Sequence, residues 1–123
     1  MKHTNQIWIP GNVPSSKNSK QWTGKMLISS KATRKYIKAT SPYYTLYKQS
    51  FIEAVKNKPL PYKIGFKFIR GTKHRFDYVN PLQTVQDLMV KFGWIEDDNA
   101  EFILPYFIQY EYNKEKPGVL IVM

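Results

Sequence analysis

The sequence predicts an α+β fold in which a mixed β-sheet of about four strands packs against helices. Apolar residues alternate with period two in segments such as 5–9 and 62–70, and they recur with helical spacing in the segments between. Proline and glycine mark the junctions between these segments. Because the chain has 123 residues and no linker-like stretch, residues 1–123 are expected to form a single domain.

The first segment predicts a strand followed by a long loop. Ile7 and Ile9 alternate with polar neighbours over residues 5–9, and Pro10 ends the pattern. Residues 11–25 are rich in Asn, Ser and Lys, and a loop is expected there.

Two helices are expected next. Ser29 and Ser30 offer N-caps for a helix over residues 31–40. Ser41 followed by Pro42 is the pattern of a new cap and first helical position, so a second helix is expected to run to about Lys56.

The second half predicts a strand, a helix and two closing strands. Residues 62–70 alternate as a strand, and Asn80 is expected to cap a helix with Gln83 completing the capping box and Gly93 ending it. The closing strands, 103–112 and 118–122, are expected to form a hairpin through residues 113–118.

Composition excludes several classes of protein. Without cysteine the chain has no disulfide or thiolate metal site, and two histidines make an imidazole-rich zinc site improbable. No apolar stretch approaches the roughly 20 residues of a membrane span, and the polar start lacks a secretion signal. A cytoplasmic protein without a membrane partner is therefore expected.

The charge of the chain is divided very unevenly. The net charge is +10, yet residues 1–76 hold 16 of the 19 Lys and Arg and a single acid, Glu53. Eight of the nine acids follow residue 76. A basic body favours a polyanionic partner, and the concentrated acidic segment needs a separate explanation.

Three aspartates of the acidic segment are candidate metal ligands. Asp77 precedes the helix expected from Asn80, and Asp97 and Asp98 follow it, so a chain that doubles back along the helix brings them together. Converging carboxylates repel one another unless a cation neutralises them, and Mg²⁺ or Mn²⁺ suits oxygen ligands. A solvated acidic loop is the alternative. Asp87 is expected to pair with Lys91 on the helix surface, outside the site.

Basic and aromatic residues of the first half are candidate nucleic-acid contacts. Four of them recur at helical spacing on one face of the helix expected at 31–40. This face is expected to contact phosphate, and the alternative is that it only keeps the protein soluble. Trp22 is expected either to stack on a nucleic-acid base or to be buried in the core. The candidates are Lys17, Lys20, Trp22, Lys25, Lys31, Arg34, Lys35, Lys38, Lys73 and Arg75.

The segment from Phe76 to Ala100 resembles the RusA family of Holliday junction resolvases. The resemblance rests on Asp77-Tyr78-Val79-Asn80, a helix carrying Asp87-Leu88, Gly93-Trp94-Ile95 and Asp97-Asp98-Asn99-Ala100. It extends more weakly to Pro14-Ser15-Ser16-Lys17-Asn18 and the following helix and strand. Members are small, basic, homodimeric endonucleases common in phages and prophages.

The resemblance implies a function and a set of site residues. Asp77 and Asp98 correspond to essential metal-binding aspartates, Asp97 to the first member of the Asp-Asp pair, and Asn80 to the motif asparagine. It implies a RusA-like, Mg²⁺-dependent homodimer, with Mn²⁺ as the other candidate ion, that cuts branched DNA during recombination and repair in a bacterial or phage-infected cell.

Two positions differ from the family pattern. Val79 stands where the family has a second aspartate, and Gln83 stands where it has a lysine. The alternative functions are therefore a protein that binds junctions or single strands without cutting them, and a structural RNA-binding protein. Lys73 or Arg75 is the candidate replacement for the missing lysine.

Overall fold

The computed structural model describes residues 5–15, 20–22 and 27–123, with the backbone alone for 20–22 and 27–29. The strands are β1 (Gln6–Pro10), β2 (Lys20–Trp22), β3 (Leu27–Ser29), β4 (Tyr62–Arg70), β5 (Ile103–Tyr112) and β6 (Gly118–Val122). The helices are α1 (Lys31–Val55) and α2 (Val79–Lys91). The α+β class with a four-stranded mixed sheet is confirmed.

The main sheet has the strand order β1-β6-β4-β5. β4 pairs in parallel with β5 and antiparallel with β6, which pairs antiparallel with β1. The predicted hairpin between the closing strands is therefore wrong, because β4 lies between β5 and β6. A short polar connection between two strands is compatible both with a hairpin and with strands separated by a third one. The local sequence therefore did not reveal that β4 lies between them.

The expected break between two helices is also wrong, because α1 continues through Pro42. The Ser30 side chain caps the helix by accepting from the Thr33 backbone N–H at 3.2 Å. The hydroxyls of Thr40 and Ser41 donate to carbonyls of the preceding turn rather than starting a new helix. A buried stripe that includes Tyr36, Tyr44 and Phe51 runs past the proline, so packing outweighs its helix-breaking cost.

Two smaller expectations differ as well. Residues 20–22, expected within a loop, form β2, because antiparallel pairing with β3 satisfies their backbone groups. Asn80 is not the cap of α2, since the helix already includes Val79, and the Gln83 amide donates to Asp87 at 2.8 Å instead of closing a capping box. The end of α2 is as expected, with Gly93 in the left-handed region at φ 79°.

Both helices cover the same face of the main sheet. Strand register places Ile7 beside Ile121 and Ile121 beside Phe66, and the next row is Ile9, Val119 and Phe68. These side chains form one buried cluster with residues from both helices, including Tyr44, Phe51, Val85, Leu88 and Met89. The helices and the sheet therefore share a single core.

Gly118 is expected to tolerate no side chain, because β1 lies against it. A Cβ at this position would lie 2.5 Å from the Ile9 carbonyl oxygen and 2.5 Å from the Trp8 ring. Gly118→Ala is expected to lower the free energy of unfolding by about 1–3 kcal/mol, measured by chemical denaturation.

Gly65→Ala is the matched control. Its Cβ would meet the Tyr106 ring at 2.6 Å, but that ring is exposed and its far end can move. The loss is therefore expected to be smaller than at Gly118. An equal or larger loss at Gly65 would contradict the assignment of the strain to the β1 backbone.

Candidate nucleic-acid interface and acidic loop

A polar cleft of about 800 Å³ opens at the carboxyl ends of β4 and β5. The β4–α2 loop supplies most of its lining, and the start of α2, the end of β5 and the segment after β1 supply the rest. The lining residues are Ser15, Lys73, His74, Arg75, Phe76, Asp77, Asn80 and Tyr110. The cleft thus brings two of the predicted phosphate-binding residues, Lys73 and Arg75, beside two of the predicted catalytic residues, Asp77 and Asn80.

Aromatic side chains form one wall of this cleft. The ring of Phe76 meets that of Tyr110 edge-on, with centroids 4.9 Å apart, and Tyr78 stacks on Phe107 at 4.8 Å. The Tyr78 hydroxyl accepts from the backbone N–H of Tyr110 at 3.1 Å. These contacts tie the β4–α2 loop to β5, so the wall is held by packing and hydrogen bonding together.

A buried arginine joins the other parts of the cleft. Arg70, the last residue of β4, is only 3 % exposed. Its guanidinium donates to the Val13 carbonyl and, at 2.8 Å, to the Ser15 hydroxyl, and it lies 4.7 Å from the centroid of Phe76. Arg70 therefore links the segment after β1 to the β4–α2 loop.

The acidic loop joins the end of α2 to the start of β5. Asp97 organises this loop by accepting from the backbone N–H of Asp98 at 2.8 Å and from the Asn99 side chain at 3.0 Å. Asn99 in turn accepts from the backbone N–H of Glu101 at 2.9 Å. The loop is consequently a hydrogen-bonded turn in which Asp97 is exposed and Asp98 is half-buried.

Asp98 has the most perturbed carboxyl group of this loop. Burial raises its pKa, and the charges of Asp87 and Asp97 raise it further. The predicted surface pair of Asp87 with Lys91 is wrong. Asp87 accepts from Gln83, while the Lys91 ammonium lies 5.7 Å from the Phe92 ring. Asp87 therefore contributes to the acidic group that sequence spacing assigned to the three other aspartates.

The structure divides the predicted acidic residues between two places. Asp77 lines the cleft, whereas Asp98 is grouped with Asp87 and Asp97. Within residues 5–15 and 27–123, no three His, Asp or Glu side chains lie close enough to hold one metal ion. Mg²⁺ is commonly bound by only one or two carboxylates together with water and substrate phosphate, so the oxygen donors present still fit this ion.

The remaining predicted contacts lie on α1 or beyond what the structure describes. Side chains of α1 at the predicted positions are exposed, namely Lys31, Arg34, Lys35 and Lys38. Lys17 and Lys25 lie outside the described residues, and for Lys20 and Trp22 only the backbone is described, in β2. Phosphate contact by these residues stays a prediction.

Sequence reasoning missed Tyr110, which lines the cleft, and Arg70, which lies behind Ser15 and Phe76. Arg70 ends a strand whose alternation explains it without a site, and Tyr110 is one of several aromatic residues in β5. The available signal was the parallel pairing of β4 with β5, since the carboxyl ends of parallel strands are frequent ligand sites. That pairing was hidden by the expected hairpin.

No protein-family model matches the chain, and a search of curated proteins found no match. Among the described residues, neither helix has the length and apolar character required to cross a membrane.

Asp98→Asn is expected to stabilise the protein at neutral pH. Because the folded state raises the pKa of Asp98, the protonated form favours folding, and this contribution is lost as the pH rises through the raised pKa. Chemical denaturation at pH 7 should therefore show a more stable variant, with the difference shrinking toward acid pH.

Glu101→Gln is the control, because it removes an exposed carboxylate from the same loop. It is expected to change the stability less than Asp98→Asn at pH 7. A loss of stability in Asp98→Asn at pH 7 would contradict the repulsion among Asp87, Asp97 and Asp98.

Proposed function

We propose that the chain is a RusA-like endonuclease that binds branched DNA, such as a Holliday junction, and cuts it with a divalent metal ion. The observation that carries the proposal is the composition of the cleft, in which Lys73 and Arg75 lie beside Asp77 and Asn80. Cations that hold a phosphodiester and oxygen ligands that hold a metal ion are the two requirements of such a reaction. The proposed setting is DNA recombination and repair in the cytoplasm.

The side chains of the cleft have distinct proposed roles. Lys73 and Arg75 bind the phosphate oxygens on either side of the scissile bond, and His74 donates a further hydrogen bond. Asp77 and Asn80 offer oxygen ligands to Mg²⁺ or Mn²⁺. When bound, such an ion supplies an activated water and stabilises negative charge on the phosphate.

Asp97 and Asp98 are proposed as the second acidic element of the site. Burial raises the pKa of Asp98 and the charges of Asp87 and Asp97 raise it further, so a nearby cation would stabilise its ionised form. The charge of the phosphodiester backbone is repelled by the same group. A cation bound beside these carboxylates would offset that repulsion when DNA binds.

A homodimer is the proposed active form. A four-way junction has strands related by a two-fold axis, and two copies of the chain related by the same symmetry place one cleft on each strand. The exposed basic positions of α1 then extend the phosphate-binding surface beyond the cleft.

A second candidate function is binding of branched or single-stranded nucleic acid without cleavage. Val79, at the position of a family aspartate, is 62 % exposed and offers no ligand atom. Gln83, at the position of the family lysine, donates to Asp87. This candidate keeps the basic cleft and assigns the acidic loop a structural role.

Cleavage of a synthetic four-way junction distinguishes the two functions. With Mg²⁺ or Mn²⁺ the protein is expected to give symmetric nicks on a sequencing gel. Asp77→Asn and Asp98→Asn are expected to lower the cleavage rate by at least about 100-fold while leaving junction binding within a few-fold. Glu101→Gln serves as the control and is expected to cut normally.

The cleavage assay gives a different result for the nuclease and for the binding protein. Salt-sensitive junction binding with no cleavage by the unaltered protein would overturn the nuclease and favour the binding protein. In that case Val79→Asp tests whether a single restored carboxylate brings cleavage back. Absence of binding to both a junction and single-stranded DNA at low salt would overturn both candidates.

The salt dependence of junction binding tests the phosphate contacts of the cleft. Lys73→Gln and Arg75→Gln are each expected to weaken binding and to reduce the slope of log K against log salt by about 1. Lys58→Gln removes an exposed cation from the turn before β4 and is expected to leave the slope unchanged. Equal slopes in all three variants would contradict the assignment of the cleft.

A further inference from the structure

The guanidinium of Arg70 is a buried positive charge surrounded by neutral partners. Its side chain contacts the Val13 carbonyl, the Ser15 hydroxyl and the ring of Phe76. Its Nε has no hydrogen-bond partner within the described residues. Burial lowers the pKa of this group.

Such an arrangement is costly unless an anion completes it. A buried charge loses its hydration, and arginine does not escape this cost by releasing its proton. Lys67, on the same strand as Arg70, provides a contrast, because its ammonium meets the Glu111 carboxylate of β5 at 2.6 Å. Hydrogen bonds to neutral oxygens and a ring contact compensate the Arg70 charge only in part.

Two of the three partners of Arg70 line the cleft. Ser15 and Phe76 separate the guanidinium from the space in which the proposed function places DNA. The Ser15 oxygen accepts from Arg70, which leaves the hydroxyl hydrogen to donate to another acceptor. An anion in the cleft would therefore receive a hydrogen bond from Ser15 and lie in the field of the charge behind it.

We propose that the counter-ion of Arg70 is a phosphate group bound in this cleft, and that Arg70 is a positioning residue for it. Arg70 polarises Ser15 and fixes the cleft wall formed by Ser15 and Phe76, while Lys73 and Arg75 contact the phosphate from the loop. The inference rests on the proposed function in placing phosphate in the cleft. It adds a residue that the resemblance did not assign.

The first test measures thermal unfolding with inorganic phosphate as the probe. Phosphate is expected to raise the Tm of the unaltered protein more than sodium chloride of equal ionic strength. Arg70→Met is expected to lose this phosphate-specific rise, and Arg70→Lys is expected to retain part of it. Lys58→Gln should keep the full rise.

Ser15→Ala keeps the test decisive if Arg70→Met fails to fold. It removes the hydroxyl and leaves the Val13 and Phe76 contacts of Arg70 in place. The phosphate-specific rise is expected to be reduced in this variant while its Tm in chloride changes little. An undiminished rise in either Ser15→Ala or a folded Arg70→Met would overturn the proposal, as would its absence from the unaltered protein.

The second test separates this proposal from the proposed function. Binding of a four-way junction to folded Arg70→Lys and Arg70→Met should be weakened, by about tenfold or more for the methionine variant, with a smaller salt slope. Normal junction binding by Arg70→Met would overturn the role of Arg70 and leave the proposed function standing. The opposite outcome is a protein that binds no junction but whose Tm still rises with phosphate in a way that depends on Arg70. That outcome would overturn the proposed function and retain the phosphate site.

Discussion

The parallel pairing of β4 with β5 is the constraint on which the rest of the molecule depends. Parallel neighbours cannot be joined by a tight turn, so the chain must leave the end of β4, cross the face of the sheet and return to the start of β5. Helix α2 is that crossing, and its buried side chains fill the core that α1 shares. The loop before α2 then necessarily lies at the carboxyl ends of β4 and β5, where the cleft forms, and the loop after it precedes β5, where the acidic residues lie.

This layout gives opposite charges to the two loops that flank one helix. The loop before α2 carries Lys73, Arg75 and one acid, Asp77, and is backed by Arg70, whereas the loop after it carries Glu96, Asp97 and Asp98. Within the described part of the chain, the contacts of Arg70 are with neutral groups, and Asp98 lies near two other carboxylates. A phosphodiester and a cation are ligands of the right sign for the two loops, which is why the proposed function and the proposed role of Arg70 support one another.

The sequence predicted the local elements well and their long-range arrangement poorly. The bounds of β4, β5 and β6 follow directly from alternation and from flanking prolines and glycines, which are local signals. The continuity of α1 through Pro42 depends on a stripe buried by tertiary packing, which no local rule contains. The strand order depends on which distant segments pair. Asp77 and Asn80 share the cleft with Lys73 and Arg75 because all four are close in sequence, whereas Arg70 and Asp87 are positioned by contacts formed only in the folded chain.

The pairing of β1 with β6 has a further consequence for how the chain reaches its fold. β1 is an edge strand whose neighbour in the sheet is β6, so Ile7 finds its place only when Ile121 is available. β6 is also the strand that connects β1 to the central strand β4. Contacts of such long sequence separation slow folding, and during synthesis the β1 segment must wait until β6 has left the ribosome. β1 is thus synthesised well before it can pair with β6. Until that pairing forms, its apolar side chains can contact other chains and promote aggregation.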